Sequence, residues 1–411
     1  MPGRWWSLTA DLGAQMTGKP DPNSREAERE ARKAQRIAER EARKAQRIAA
    51  RQAERAARAK PAREKGIASF VSESPGSAGT AHPQADFDIL IVAQGGGIDR
   101  QAAILAASLR RNAPGFRGRL IVAEPQPGGA WSGSDPRMSP RARAALEVLG
   151  AEIRPLVARD FGRSYPHGNK IEALALLDPG RPFLFLDSDT LILGEIGALP
   201  FDFTRPSASM RREGSWPQPP AYRQTYESIW RSLYDRFGLE MEGSLDLSQP
   251  DEHWERFLYF NAGWFFGADG PEFGRRFRDW AVAVRDDPGE ALACQSLDPW
   301  LDQVVLPLVI HSFGGGRPAS GLAGLDGDVT WHYRNLPLLY ARGPRQAIDE
   351  FEAIAALPEI APLLSGWTAA ERLIRAGQGR ATIRPMFADY PPHAPERGIR
   401  KRLKQAELWL D

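Results

Sequence analysis

A single cysteine, Cys294, stands among 411 residues, so no disulfide forms within the chain and a reducing compartment suits it. In Ala291-Leu-Ala-Cys294 it sits beside small apolar residues and reads as a buried, inert thiol rather than a nucleophile. Long apolar runs are missing as well: no stretch reaches the ~20 residues that a bilayer-spanning helix needs. The amino terminus, Met1-Pro-Gly-Arg-Trp-Trp, has neither the apolar core nor the cleavage site of a secretory leader, and the expectation is a cytoplasmic protein. A charge surplus is lacking too. With 54 Lys/Arg against 52 Asp/Glu, the formal charge is +2, and residues 25 to 60 hold 13 basic against 6 acidic residues, so the rest is mildly acidic. That balance argues against a nucleic-acid binder.

The basic segment is a tandem repeat with a period of eleven, Glu30-Ala-Arg-Lys-Ala-Gln-Arg-Ile-Ala-Glu-Arg40 followed by Glu41 to Arg51. Its alanines, from Ala31 to Ala56, recur every three or four residues, which sets them on one stripe of a nearly straight helix. Pro61 ends the pattern. The stripe carries only Ile37 and Ile48 as larger aliphatic groups, too little to dock firmly, so a solvated helix is expected over residues 1–62. Peripheral contact of residues 25–60 with an anionic membrane, or self-association, stays open. Residues 63–86 are rich in Gly, Ser, Pro and Ala and read as a flexible linker.

From residue 87 strand and helix signals alternate, which predicts an α/β domain over 87–340, with 341–411 as its C-terminal helical part or an appendage. Strands are expected at Phe87–Ala93, Leu120–Ala123 and Ala151–Leu156, and helices at Asp99–Arg111, Arg141–Leu149 and Lys170–Leu177. Gln94-Gly95-Gly96-Gly97 is neither a dinucleotide fingerprint nor a Walker loop. It serves either as a tight turn with Asp99 as helix cap or as a close backbone approach to a nucleotide.

The most informative run is Arg181-Pro-Phe-Leu-Phe-Leu-Asp-Ser-Asp-Thr-Leu191. Four apolar residues predict a strand buried on both faces, so Asp187 and Asp189 emerge at its carboxyl end, the edge where open α/β sheets bind ligands. Two carboxylates there suit a hard divalent cation that also holds phosphate oxygens. A strand end capped by Asp is the plain alternative. A second is the pattern of haloacid-dehalogenase-like phosphatases, with Asp187 as nucleophile, Asp189 as acid/base and Thr190 on phosphate. Further on, Phe260-Asn-Ala-Gly263 places a polar Asn261 and a bare Gly263 in an apolar strand, where the glycine admits a close neighbour. Asp302-Gln303 opens a helix, and Thr330-Trp-His332 ends a strand with an imidazole, a candidate third metal ligand.

In this order the motifs resemble the retaining nucleotide-sugar glycosyltransferases of the GT-A fold, closest to glycosyltransferase family eight, over roughly residues 87 to 335. The resemblance implies a GT-A type Rossmann-like mixed sheet flanked by helices. It implies a hexosyltransferase-like enzyme that moves a sugar from a nucleotide-diphosphate sugar, UDP-linked by preference, to an unknown acceptor. Asp187, Asp189 and His332 resemble the family's ligands of Mn2+ or Mg2+, and Gln94, Gly95, Gly96, Lys170, Asp187, Asn261 and Gly263 resemble donor-binding positions. Asp302 and Gln303 are similar to residues at the transferred sugar, with Lys170 and Arg334 adding positive charge near the diphosphate. The family's Gly-x-x-Lys-Pro-Trp segment after the late histidine is replaced here by Tyr333-Arg-Asn-Leu-Pro337, and His311 is a weaker substitute for His332. Acceptor recognition is expected on the Pro-rich loop Arg211–Tyr222, with Trp216 and Tyr222 as stacking platforms; Trp230, Trp254, Trp280 and Trp300 read as core. A transferase fold that only binds a partner is the non-catalytic alternative.

Overall fold

The computed structural model describes residues 86–220, 224–390 and 394–410. The repeat helix, the linker, the membrane-contact expectation for residues 25–60 and Tyr222 lie outside the described residues.

Six strands form the main sheet in the order β3-β2-β1-β4-β7-β6. They are β1 Asp88–Val92, β2 Leu120–Pro125, β3 Glu152–Leu156, β4 Phe183–Leu186, β6 Ser207–Ser209 and β7 Asn261–Gly267. β1, β2, β3 and β4 run parallel, whereas β7 is antiparallel to both β4 and β6. The chain builds outward from β1 to β3 and then returns to lay β4 on the other side of β1. That reversal leaves a crevice beyond the carboxyl ends of β1 and β4. A separate antiparallel pair, β5 Thr190–Ile192 with β8 Thr330–His332, rises from the end of β4.

The unbroken apolar runs of the central strands follow from burial on both faces. Ile89, Ile91, Val122, Leu184 and Leu186 enter one hydrophobic cluster, while Leu90, Ile121, Phe183 and Phe185 enter the other. The first cluster is completed by Leu105 and Leu109 of α1 (Ile98–Asn112) and by Leu339, Phe351 and Ile399 from the C-terminal helices. The second is completed by Phe273 and Phe277 of Gly270–Asp286 and by Val305 and Val309 of Leu301–Ser312. No helix among the described residues is long and apolar enough to cross a membrane.

Four expectations are corrected. Asp99 does not cap α1, because the left-handed Gly97 holds that position; the Asp99 carboxylate instead accepts from Ser139 N at 3.0 Å, tying α1 to the start of Pro140–Val148. Cys294 is exposed, since the short helix Gly289–Leu292 ends before it and turns only Leu292 inward. Trp300 is exposed as well, one residue before Leu301–Ser312 begins. Trp216 is buried, with its indole N–H donating to Ser296 O at 3.1 Å and its ring edge-on to Trp230, so it offers no open face to a sugar.

Candidate active site

The site begins where β4 stops. Asp187 N donates to Gly263 O at 2.8 Å, prolonging the β4–β7 ladder by one step, and Ser188 Oγ donates to Val92 O at the end of β1. The turn between β4 and β5 is thus anchored on both sides, which leaves the Asp187 and Asp189 side chains partly exposed in the crevice. The β5–β8 register pairs Thr190 with His332 and brings the imidazole over them. His332 Nε2 lies 2.9 Å from Asp189 Oδ1 and 3.9 Å from Asp187 Oδ2. One ligand atom from each of Asp187, Asp189 and His332 falls within 4.8 Å of the others, although His332 stands 145 and 143 positions from the two aspartates in sequence.

Gly263 makes that approach feasible. A Cβ there would stand 2.4 Å from His332 Nδ1 and 3.0 Å from Asn261 Oδ1, so the close neighbour anticipated for this glycine is the imidazole itself. Burial works against the Asp189 carboxylate, but the charge and hydrogen bond of His332 and the charge of Arg334 outweigh it and hold the group below the usual carboxylate range.

Beneath the acid pair lies Lys170, from the short helix Asn169–Ala173, 7% exposed. Its Nζ sits 2.7 Å from Asp187 Oδ1, 3.3 Å from Asp302 Oδ2 and 3.2 Å from Ala262 O, which takes up all three of its hydrogens. Burial disfavours the ammonium, yet Asp187 and Asp302 outweigh it and keep the amine charged above its ordinary range. Lys170 therefore ties Asp187 to Asp302 and to the β7 backbone at the cleft. Asp302 is also buried: its Oδ1 accepts from Tyr165 OH at 2.9 Å and its backbone N donates to the same hydroxyl at 3.0 Å. Asp302 thus stands buried between Lys170 and Tyr165. Burial, then the charge of Asp302, push the Tyr165 phenol far above its ordinary range, so it stays a neutral donor.

Gln303, half-buried, has its Oε1 fixed by Tyr259 OH at 2.9 Å. Asn261 bridges two backbones, donating to Arg211 O at 3.1 Å and accepting from Gly263 N at 2.8 Å. Gln94 Oε1 accepts from Asn169 Nδ2 at 2.8 Å, and Asn169 Oδ1 accepts from Trp131 Nε1. Gly95 presses on Arg137, where a Cβ would meet the carbonyl oxygen at 2.9 Å, and Gly96 has φ 87°; the glycines satisfy the turn reading. His311 lies on Leu301–Ser312 with Nε2 2.7 Å from Glu240 O and is not in the metal-ligand group. Arg334 adopts a left-handed backbone, φ 66°, with Nε engaged by Glu396 at 2.8 Å. Asp187, Asp189, Lys170 and Gln94 open together onto a cleft of about 200 Å³ that Val92, Ile98, His167 and Asn169 also line.

Tyr165, Tyr259, Ser188 and Asn169 are the residues that sequence reasoning missed. Tyr165 stands in Arg163-Ser-Tyr-Pro-His167, where no period or spacing marks it. Asn169 alone carried a signal, as the neighbour of the basic residue already singled out.

The family described as the Rhodobacterales glycosyltransferase domain matches residues 89–314, a span that holds all but the first residue of β1, together with β4, β7, the acid pair and Asp302. The chain belongs to this family. It is therefore a glycosyltransferase, an enzyme of the transferase class, and the phosphatase reading of Asp187 is set aside. No curated protein sequence matches it. Among solved structures, the glycosyltransferase is similar to the galactosyltransferase LgtC in complex with donor and acceptor sugar analogues, at 16% identity and TM-score 0.38, covering 66% of this chain and 98% of that one. It is also similar to the bifunctional glycosyltransferase WbbM, at 14% identity and TM-score 0.36, covering 71% and 53%. GlyE of Streptococcus pneumoniae TIGR4 matches at 12% identity and TM-score 0.35, covering 70% and 64%.

Proposed function

We propose that this glycosyltransferase transfers a sugar from a nucleotide-diphosphate sugar, with UDP as the favoured nucleotide, to an acceptor hydroxyl with the help of Mn2+ or Mg2+. The observation that carries the reading is the convergence of Asp187, Asp189 and His332 within 4.8 Å at a cleft on the strand-order reversal. Two carboxylates and an imidazole suit Mn2+ or Mg2+ when waters and phosphate oxygens complete the shell. A bound cation supplies Lewis-acid neutralisation of the charge that develops on the departing diphosphate.

The chain's own residues do the rest. Lys170 holds Asp187 and His332 holds Asp189, so the acid pair meets the donor already oriented and needs no rearrangement as charge develops. In this proposal Asn261 and Gln303, each oriented by a neighbour, hydrogen-bond sugar hydroxyls, the type of contact that separates one sugar from another. Retention of anomeric configuration is part of the proposal and rests on the resemblance to family eight, as does the preference for a hexose.

The test is hydrolysis and transfer of a panel of nucleotide sugars with and without Mn2+. Wild type is expected to turn over one donor only when metal is present, and Asp189→Ala to lose both activity and Mn2+ binding in calorimetry. Donor turnover that survives chelation, or Mn2+ binding unchanged in Asp189→Ala, overturns the reading.

A further inference from the structure

Three guanidinium groups, those of Arg211, Arg334 and Arg342, lie close enough to act on one another, with Arg334 also within reach of Asp189, and two of the three are spoken for. Arg342 reaches Glu213 Oε1 at 2.6 Å and Glu396 Oε2 at 3.3 Å, and Arg334 Nε reaches the same Glu396 oxygen at 2.8 Å. The third, Arg211, has no hydrogen bond or ion pair to its side chain among the described residues. Burial lowers its proton affinity, and the nearby charges of Arg342 and Arg334 act in the same direction. The remaining carboxylate in range, Asp326, is already committed to Ser209 Oγ at 2.7 Å and Trp264 Nε1 at 2.9 Å.

What holds Arg211 in this unfavourable place is a ring. Its guanidinium carbon lies 3.9 Å from the centroid of Trp331, the residue before His332, so the planar group rests on the indole face. Stacking satisfies the face of a guanidinium and leaves the N–H groups along its edge without partners. The backbone is fixed as firmly. Arg211 O accepts from Asn261, whose other end holds Gly263 N, and Gly263 O accepts from Asp187 N. One hydrogen-bonded path therefore runs from Arg211 to the first aspartate. Lys170, the other cation at the site, has every hydrogen committed below the acid pair.

We infer that Arg211, seated on Trp331, is an anion-binding residue that takes a phosphate or carboxylate group of a substrate beside the Asp187, Asp189 and His332 group. The inference rests on the reading of that group as the holder of a donor diphosphate. Two sources present this chemistry: the diphosphate of the donor, and an acidic group on the acceptor.

The full-length chain tests it by calorimetry with two probes. Inorganic pyrophosphate with Mn2+ stands for the donor source; glucuronate, added to protein already holding Mn2+ and UDP, stands for an acidic acceptor. Arg211→Met keeps the packing on Trp331 without charge, and Arg211→Lys keeps charge without the planar edge. A charge-assisted hydrogen bond lost on ligand binding predicts roughly 10- to 100-fold weaker affinity for one probe in Arg211→Met, with partial recovery in Arg211→Lys. Weakening of pyrophosphate assigns the residue to the donor, weakening of glucuronate to the acceptor. If Arg211→Met binds both probes as wild type does, with or without a lowered melting temperature, the inference falls alone. Failure of wild type to bind Mn2+ at all overturns the metal reading and this inference with it.

Discussion

Gly263 shows how little of an active site needs to be chemically active. Its lack of a side chain lets His332 lie against β7, with only 2.4 Å to where a Cβ would stand. Gly263→Ala is expected to displace the imidazole and weaken Mn2+ binding roughly 10- to 100-fold, the range found when groups that orient metal ligands are disturbed, with less effect on the fold. Calorimetry beside a thermal melt checks this, and unchanged Mn2+ affinity in a folded variant refutes it. At this scale the sequence was legible where a local pattern breaks: a carboxylate pair ending an apolar run, an Asn-x-Gly inside another. It was silent about Tyr165, whose role exists only through Asp302, 137 residues away. It was equally silent about the partners of Arg334 and Lys170, because groups that engage a charge do not show in its neighbourhood along the chain.

Elements were read best where burial is two-sided. β1 and β4 were placed to within two residues, since a strand covered on both faces needs an uninterrupted apolar run. The three-residue strands β5 and β8 are too short to leave a period, and only their pairing carries His332 to the acids. β7 is shorter than its apolar stretch, as Leu258, Tyr259 and Phe260 are buried without entering the ladder. At the opposite end of β1, Asp88 holds the strand in register through Arg119 and through Arg181 Nε at 2.8 Å. Burial raises its carboxyl, but the hydrogen bonds of Arg119 and the hydrogen bond and charge of Arg181 prevail and lower it below 3.8. A depressed carboxyl contributes stability that is present above its unfolded value near 3.8 and is lost as pH falls through the folded one. Asp88→Asn is expected to cost about 1–3 kcal/mol at pH 7, reduced from a fully buried pair because both arginines are a third exposed. Urea titrations from pH 7 down to 3 should show wild type and variant converging; a constant gap refutes the assignment.

For the whole molecule, the α/β class followed from alternating strand and helix signals, while the reversal of strand order left no mark in the sequence, and only the structure shows residues from the C-terminal helices sharing a core with β1. Ligand binding to this single framework is expected to register globally: UDP with Mn2+ at about 100 times its dissociation constant should add about 2.7 kcal/mol of apparent stability, read as a rise in melting temperature that Asp189→Ala abolishes. An equal rise in that variant would count against the site. The knot of Lys170, Asp187, Asp302 and Ala262 O joins a helix, the end of β4, the start of a second helix and a strand backbone through one ammonium. A mutational survey scored by cellular abundance will flag Lys170 as architecture, and one scored by turnover will flag it as machinery. Neither label will be mistaken, because here the keystone of the building is also the bed of the instrument.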